Sequence, residues 1–344
     1  MTEYRPFEEA KGVFRSSRPP LRHNPFLLSK SGGDANVRKR PREGEQVGNK
    51  NSGDQPNRAA PAQKSTSILT LFDHPPVHSD VVYVLVDLIL RQDPSRLKGK
   101  NLEIESKLGI IYDKSSGSRV ADDIPVCTNS ALRSAYHQDM RFSSTVNLQS
   151  FKTINEMLNK WVIKSPRRSE IDCKHVTDVD TYYENGARET KRVKPSDGVG
   201  TRVLRKQRLA DLNVTCPLSQ YDLRYSLSSE EDLAKSGSSR ARSRRTKNRQ
   251  SYRFSNVVID ITAVELEEPL TSEGDKLVSV GVPQNTFEVE VELIYPDGFD
   301  LLRECEHIKV RKEQGDSVHT SSLHKLLQEL VDTVRGILTA TDRR

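Results

Sequence analysis

Cysteine is scarce in this 344-residue chain: there are four, Cys127, Cys173, Cys216 and Cys305. They are far apart and form no Cys-x-x-Cys pair, which argues against a zinc site or a disulfide framework and predicts reduced intracellular thiols. Long apolar runs are missing too. The longest, near 81–90, is broken by Tyr83 and Asp87 and falls well short of the ~20 residues that cross a bilayer. The chain opens on Met1-Thr2-Glu3-Tyr4-Arg5, too polar for a secretory signal. No internal repeat is visible. These absences predict a soluble intracellular protein with no membrane partner.

Charge is what the chain has in quantity. Charged residues make up 30% and hydrophobic ones 34%, with a formal net charge of +6. A mild basic excess suits polyanionic partners, although basic surfaces also serve solubility. Residues 1–66 are rich in Pro, Gly, Ser, Asn and charge, so this polar tail is expected to be disordered. Within it, Arg38-Lys39-Arg40-Pro41-Arg42 is a basic cluster of nuclear-localisation type. A solvated charge run is the alternative. Order is expected from about Ser67, and residues 67–344 form the folded domain.

The patterning predicts helices over 79–91, 149–163 and 320–338, each with an apolar stripe at helical spacing. Between 170 and 294 the period shortens to that of strands, with turn chemistry at Asn185-Gly186, Ser196-Asp197-Gly198, Ser236-Gly237 and Glu273-Gly274-Asp275. Strands are predicted over 102–108, 174–183, 188–194, 201–209, 221–228, 247–254, 257–265 and 286–293. About eight strands are enough to close a small barrel. The stretch 109–129 reads as irregular, and the Ser/Arg-rich segment 236–249 as a mobile loop in its first part.

Two of these strands alternate between apolar and charged residues. Leu102-Glu103-Ile104-Glu105-Ser106-Lys107 is matched by Phe287-Glu288-Val289-Glu290-Val291-Glu292-Leu293. Alternate residues lie roughly 6.5–7 Å apart on one strand face, so their carboxylates could converge on one cation. Without counter-charge they would repel and take up protons. Basic strands supply counter-charge: Arg245, Lys247, Arg249 and Ser251 share a face, as do Arg202, Lys206 and Arg208, and Arg188 and Arg192. Asp222, Arg224, Ser226 and Glu230 share another, and Asp260 with Thr262 opposes Ile259 and Ile261. Taken singly, each stripe suits a solvated exterior. Taken together, with weak apolar faces on strands such as 201–209, they suit a polar interior.

The two Glu-x-Glu strands, the Arg-x-Lys-x-Arg-x-Ser-Tyr run ending at Tyr252, and Ile259-Asp260-Ile261-Thr262 resemble the fungal-type metal-dependent messenger-RNA 5′-triphosphatases. These capping enzymes belong to the triphosphate tunnel metalloenzymes. Asp180-x-x-Tyr183, Lys206-x-Arg208 and Asp222-x-Arg224-x-Ser226 support the match. The resemblance implies an α+β fold: a closed eight-stranded antiparallel β-barrel, the triphosphate tunnel, supported by a few α-helices. It implies hydrolysis of the γ-phosphate of triphosphate-ended RNA with Mg²⁺ or Mn²⁺, a nuclear location, a guanylyltransferase partner and a homodimer.

Residue by residue, the resemblance implies that Glu103, Glu105 and Glu292 bind the metal. Glu290 and Asp260 would hold waters around it, and Glu230 or Glu288 would orient or deprotonate the attacking water. Arg188, Lys247 and Arg249 would grip the γ-phosphate, with Lys206 assisting; Arg192 shares the parity of Arg188. The sequence departs from the family at Leu108, where Phe is usual, and at Val258, where Arg is common. No Trp-rich peptide of the kind that recruits guanylyltransferase in some members is evident upstream of the domain. Two other readings stand beside this one: a tunnel enzyme acting on inorganic or nucleoside triphosphates, and a non-catalytic RNA-binding module.

Overall fold

The computed structural model describes residues 80–165, 171–193, 200–234, 239–267, 270–273, 276–279, 284–316 and 321–342. The expected tail 1–66, its basic cluster, the start of order near 67 and the first part of the 236–249 loop lie outside the described residues.

Eight long strands carry the architecture: β1 (Asn101–Asp113), β2 (Asp172–Tyr183), β3 (Ala187–Arg192), β4 (Thr201–Thr215), β5 (Asp222–Asp232), β6 (Ala241–Arg253), β7 (Val257–Glu267) and β8 (Gln284–Leu293). Every neighbouring pair is antiparallel, in the order β1-β5-β4-β3-β2-β6-β7-β8. Glu105 pairs with Glu292 and Lys107 with Glu290, so β8 returns to β1 and the sheet closes. This is the barrel that the strand patterns and the resemblance imply.

Period two then divides each strand between lumen and exterior. On β8 and β7, Val289, Val291, Val257, Ile259 and Ile261 are fully buried. They face outward, beneath helices α1 (Asp80–Leu90), α2 (Leu148–Lys164), α3 (Leu301–Glu313) and α4 (Ser322–Asp342). Helix α4 is the hub, touching the other three helices as well as β1 and β8. Its Leu323, Leu327, Leu330, Val331, Val334 and Ile337 are wholly buried. Each such side chain contributes roughly 1.5–3 kcal/mol on leaving water. Helix α2 starts at Asn147, whose side chain accepts a hydrogen bond from the Ser150 amide at 2.7 Å. Its outer turns fix β6: the Tyr252 hydroxyl donates to Asn155 Oδ1 at 2.8 Å and lies 3.0 Å from Asn159 Oδ1.

Several expectations need correction. Helix α3 escapes sequence reading because its buried set is narrow (Leu301, Cys305 and Ile308) in an otherwise charged segment. The Asp300 cap, which accepts from the amides of Leu302 and Arg303, was the available signal. Strand β6 begins at Ala241, six residues before the expected start, and β1 runs to Asp113 rather than ending at 108. Strand β4 continues past 209 because a bulge between Arg208 and Ala210 resets its parity and turns Asp211 and Asn213 toward Ser226 and Arg224. The stripes of α1 and α4 are covered within the chain itself.

One end of the barrel is tied by a buried carboxylate. Asp222 accepts hydrogen bonds from Arg119 Nε at 3.0 Å and Nη2 at 2.8 Å, and from the amides of Ile111 and Cys216. The Asp222→Ala variant strands the Arg119 guanidinium and two amides. It is expected to lose about 3–5 kcal/mol of stability, measurable as a fall in the urea midpoint at unchanged slope.

Candidate active site: a tunnel of opposed charges

The lumen face follows from register. Around the ring, Glu105 stands opposite Ser226 and Glu292, Glu103 opposite Ser228, and Lys206 opposite Glu230. On the other wall Asp260 faces Glu290 and Ser251, and Thr262 faces Glu288 and Arg249. Asp178 faces Lys247 and Arg192, and Tyr182 faces Arg188 and Ser243. All eleven residues singled out from the sequence therefore share one interior: Glu103, Glu105, Arg188, Lys206, Glu230, Lys247, Arg249, Asp260, Glu288, Glu290 and Glu292.

Most of the lumen acids are held against a base. Lys206 Nζ reaches Glu103 and lies 3.1 Å from Glu105 Oε2. Lys107 Nζ is bonded to Glu290 and lies 3.5 Å from Glu105. Lys247 contacts Asp180 at 2.8 Å, and Arg249 Nη1 contacts Asp260 at 2.8 Å beside the Ser251 hydroxyl. Arg188 approaches Glu230 at 3.5 Å, as does Arg202 at 3.6 Å, while Arg245 stands 3.9 Å from Glu288. Arg192 is engaged elsewhere, its Nε donating to Asp178 at 3.0 Å. That separates it from Arg188, which the parity of β3 alone did not.

The acids do not behave alike. Burial, the hydrogen bond to Glu105 and repulsion from Glu105 and Glu292 push the Glu103 carboxyl up to about 8, against the pull of Lys206. Glu292 is open to water in the lumen, yet the crowding of the walls and Asp260 raises it to about 7. Burial opposes ionisation of Glu105 and Glu290 as well, but Lys107 outweighs it, joined by Lys206 at Glu105 and by Lys247 and Arg249 at Glu290. Both carboxyls stay below the usual range. The tunnel thus holds two carboxyls pulled toward the anion by nearby cations and two pushed toward the protonated form by burial and neighbouring carboxyls.

That imbalance bears on a metal. Glu105 Oε1 is buried with no hydrogen-bond partner, and its neighbours Glu103 and Glu292 are the two pushed toward the protonated form. Hard carboxylate oxygens crowded together, one of them without a hydrogen-bond donor, suit a divalent cation such as Mg²⁺ or Mn²⁺. Among the described residues no three acidic, His or Cys side chains already converge as a finished ligand cage; the Lys206 ammonium lies between Glu103 and Glu105 instead. On the basic side, Arg188 and Arg249 each keep a buried Nε–H without an acceptor. A buried donor left unpaired is costly, and a phosphate oxygen would satisfy it.

Sequence reasoning gave no role to Lys107, Arg208, Asp178 or Asp180, though all line the lumen. Lys107 has the parity of Glu103 and Glu105, and Asp178 alternates with Asp180, so both signals were present. Arg208 lies 3.5 Å from Glu105 and bonds Ser226 and Asp211.

A closed antiparallel barrel with paired acids and bases across its lumen defines a triphosphate tunnel fold. A family profile described as "mRNA capping enzyme, beta chain" matches residues 77–341, and the chain belongs to that family. The mRNA-capping enzyme subunit beta of Schizosaccharomyces pombe is 31% identical over 178 residues, covering 50% of this chain and 58% of that one. Its counterpart in Cryptococcus neoformans is 28% identical over 208 residues, covering 56% and 49%. The chain thus spans about half the length of these curated relatives. The solved S. pombe Pct1 RNA triphosphatase superposes with a TM-score of 0.62 at 25% identity, over 78% of this chain and 96% of that one.

Proposed function

We propose that the chain is a metal-dependent RNA 5′-triphosphatase, removing the γ-phosphate from triphosphate-ended nascent messenger RNA before capping. The observation that carries this is a pair of complementary features in one lumen: crowded carboxyls, with Glu105 Oε1 lacking a donor, beside arginines whose buried Nε–H groups lack acceptors. A triphosphate with its cation meets both needs. The family and the S. pombe triphosphatase fold point the same way.

In this reading Glu103, Glu105 and Glu292 hold Mg²⁺ or Mn²⁺, which would neutralise charge on the transferring phosphoryl group. Arg249, Lys247 and Arg188 bind the γ-phosphate oxygens and set the phosphorus in line with its attacking water. Lys206 moves its charge from the carboxylates to the triphosphate. Glu290 and Asp260, held by Lys107 and Arg249, orient water as acceptors. Glu230 or Glu288 receives the proton of the attacking water. Phosphoryl transfer asks chiefly for positioning and charge neutralisation, which these walls supply.

The deciding assay is γ-phosphate release from triphosphate-ended RNA, compared with tripolyphosphate and ATP, in Mg²⁺ and in Mn²⁺. RNA is expected to be the best substrate, with no release when metal is chelated. Equal rates on tripolyphosphate would assign a general tunnel phosphohydrolase, and RNA binding without release would assign a non-catalytic module.

A pH dependence follows from Glu103 near 8 and Glu292 near 7. Their ordinary value is 4.5. Between 4.5 and about 8 the folded, metal-free chain holds protons that the unfolded chain has lost. These two groups therefore stabilise the metal-free fold less as pH rises through that window. A cation displaces the protons and binds more tightly at high pH. The rise in Tm on adding Mn²⁺ is expected to be larger at pH 8 than at pH 6; equal rises would remove both residues from the ligand set.

A nuclear location, a guanylyltransferase partner and a homodimer complete the proposal on the strength of the family. Light scattering tests the dimer, with twice the chain mass of 38.9 kDa expected.

A further inference from the structure

The residues that open β6, from Arg240 to Arg245, have no assigned place in the phosphate site, yet they build a cavity at one rim of the barrel. The cavity has a volume of about 600 Å³; its lining includes Tyr182, Ser243 and Arg245 from the lumen parity, together with Arg240, Arg242 and one exposed acid, Glu184. This is the size range of small-ligand sites, roughly 300–1,000 Å³. The register explains how one pocket spans both surfaces: the β2–β6 pairing slips at Tyr182/Tyr183, so that Tyr182 meets Ser243 but Tyr183 meets Ala241. The bulge re-aims neighbouring side chains around the rim.

Three features give the cavity a chemistry. The Arg245 guanidinium lies over the Tyr182 ring, 5.6 Å from its centroid, which makes a flat aromatic–cation platform. Arg188 reaches the Tyr182 hydroxyl from within the tunnel, so the platform adjoins a proposed γ-phosphate ligand. Arg240 and Arg242 are exposed and have no acidic partner among the described residues, unlike the lumen bases, each of which is engaged. Flat rings with guanidinium planes stack nucleobases, and free arginines on a rim hold phosphodiesters.

We infer that this rim cavity seats the first nucleotides of the RNA, with the leading base against Tyr182 and Arg245 and the following phosphodiesters on Arg240 and Arg242. The inference rests on the triphosphatase reading and deepens it. The lumen residues recognise a triphosphate of any origin, and the rim supplies preference for a polynucleotide. Recognition is by stacking and charge, so little base-sequence preference is expected.

The test uses the full chain and three variants: Arg240→Ala/Arg242→Ala, Tyr182→Leu and Tyr182→Phe. Steady-state release is measured on a triphosphate-ended ten-nucleotide RNA and on tripolyphosphate, and binding of the same RNA bearing a 5′-monophosphate is followed by anisotropy. The double arginine variant is expected to raise KM for RNA about tenfold and leave tripolyphosphate kinetics at parent values. The salt dependence of log binding should flatten by about 1.4, or roughly 0.7 for each lost phosphate contact on a single strand. Tyr182→Phe keeps the ring and should bind RNA like the parent, whereas Tyr182→Leu should weaken binding at least about fivefold. Parent-like RNA binding and salt slope in the double variant would overturn the inference. So would equal losses on RNA and tripolyphosphate, which would mean that the rim only supports the barrel. If the parent binds RNA through the rim but releases phosphate from neither substrate, the catalytic reading falls and the rim site stands.

Discussion

The Glu292→Ala variant is expected to lose more than about a hundredfold in turnover while remaining folded. Glu292 faces Glu105 across the β1–β8 seam, and both belong to the carboxylate set that a divalent cation would need. Loss of one oxygen ligand weakens the site and leaves the others repelling one another. Glu103→Ala and Glu105→Ala should do the same. Glu265→Ala should not, because that side chain is exposed on the outer parity of β7. Stability offers a second readout. The crowded tunnel walls and nearby anions, Asp260 first, raise the Glu292 carboxyl to about 7, so at pH 8 its ionised form is disfavoured in the metal-free protein. Glu292→Gln removes that charge at nearly constant shape. Without metal at pH 8 it should melt at or above the parent temperature, even as turnover collapses. Near-normal turnover in Glu292→Ala would end its assignment as a ligand.

Arg249→Lys is expected to cost about a hundredfold in kcat, and Arg249→Gln more. One guanidinium nitrogen is engaged with Asp260 at 2.8 Å, while Nε remains a buried donor without an acceptor. A planar fork can serve a carboxylate and a phosphate together; a lysine ammonium keeps the charge but loses that geometry. Arg249→Lys should therefore also disturb Asp260 and lower kcat more than it raises KM. If Lys and Gln both behave like the parent, Arg249 serves only to hold Asp260, and the γ-phosphate is bound by Lys247 and Arg188.

The fold was legible where period two was strict. Phe287–Leu293 alternates without exception and the Glu103/Glu105 strand with a single polar interruption at Ser106, and the structure places them side by side. Reading weakened where a local irregularity broke the period. The bulge after Arg208 hid the second half of β4, and the charged surface of α3 hid a helix fixed by three buried residues. The helices' apolar stripes were legible as buried faces, but their partners were not: periodicity shows that a face is buried and does not say against which strand. The site was legible as a set of residue types, because the acidic and basic strands each announce a face. Pairing was not. That Lys206 lies between Glu103 and Glu105, or that Arg192 belongs to Asp178 and leaves Arg188 to Glu230, depends on how strands far apart in sequence are staggered around a ring. Stagger is a property of closure, and no single strand encodes it.

Closure also decides what can arrive. A wall joined all the way round by backbone hydrogen bonds has no seam through which a long polymer could slip sideways. Such a molecule must thread in by one end, so an internal phosphate of an unbroken chain can reach the lumen only after a terminus has passed through it. Discrimination between a terminus and the middle of a strand is then settled by topology before any side chain is consulted.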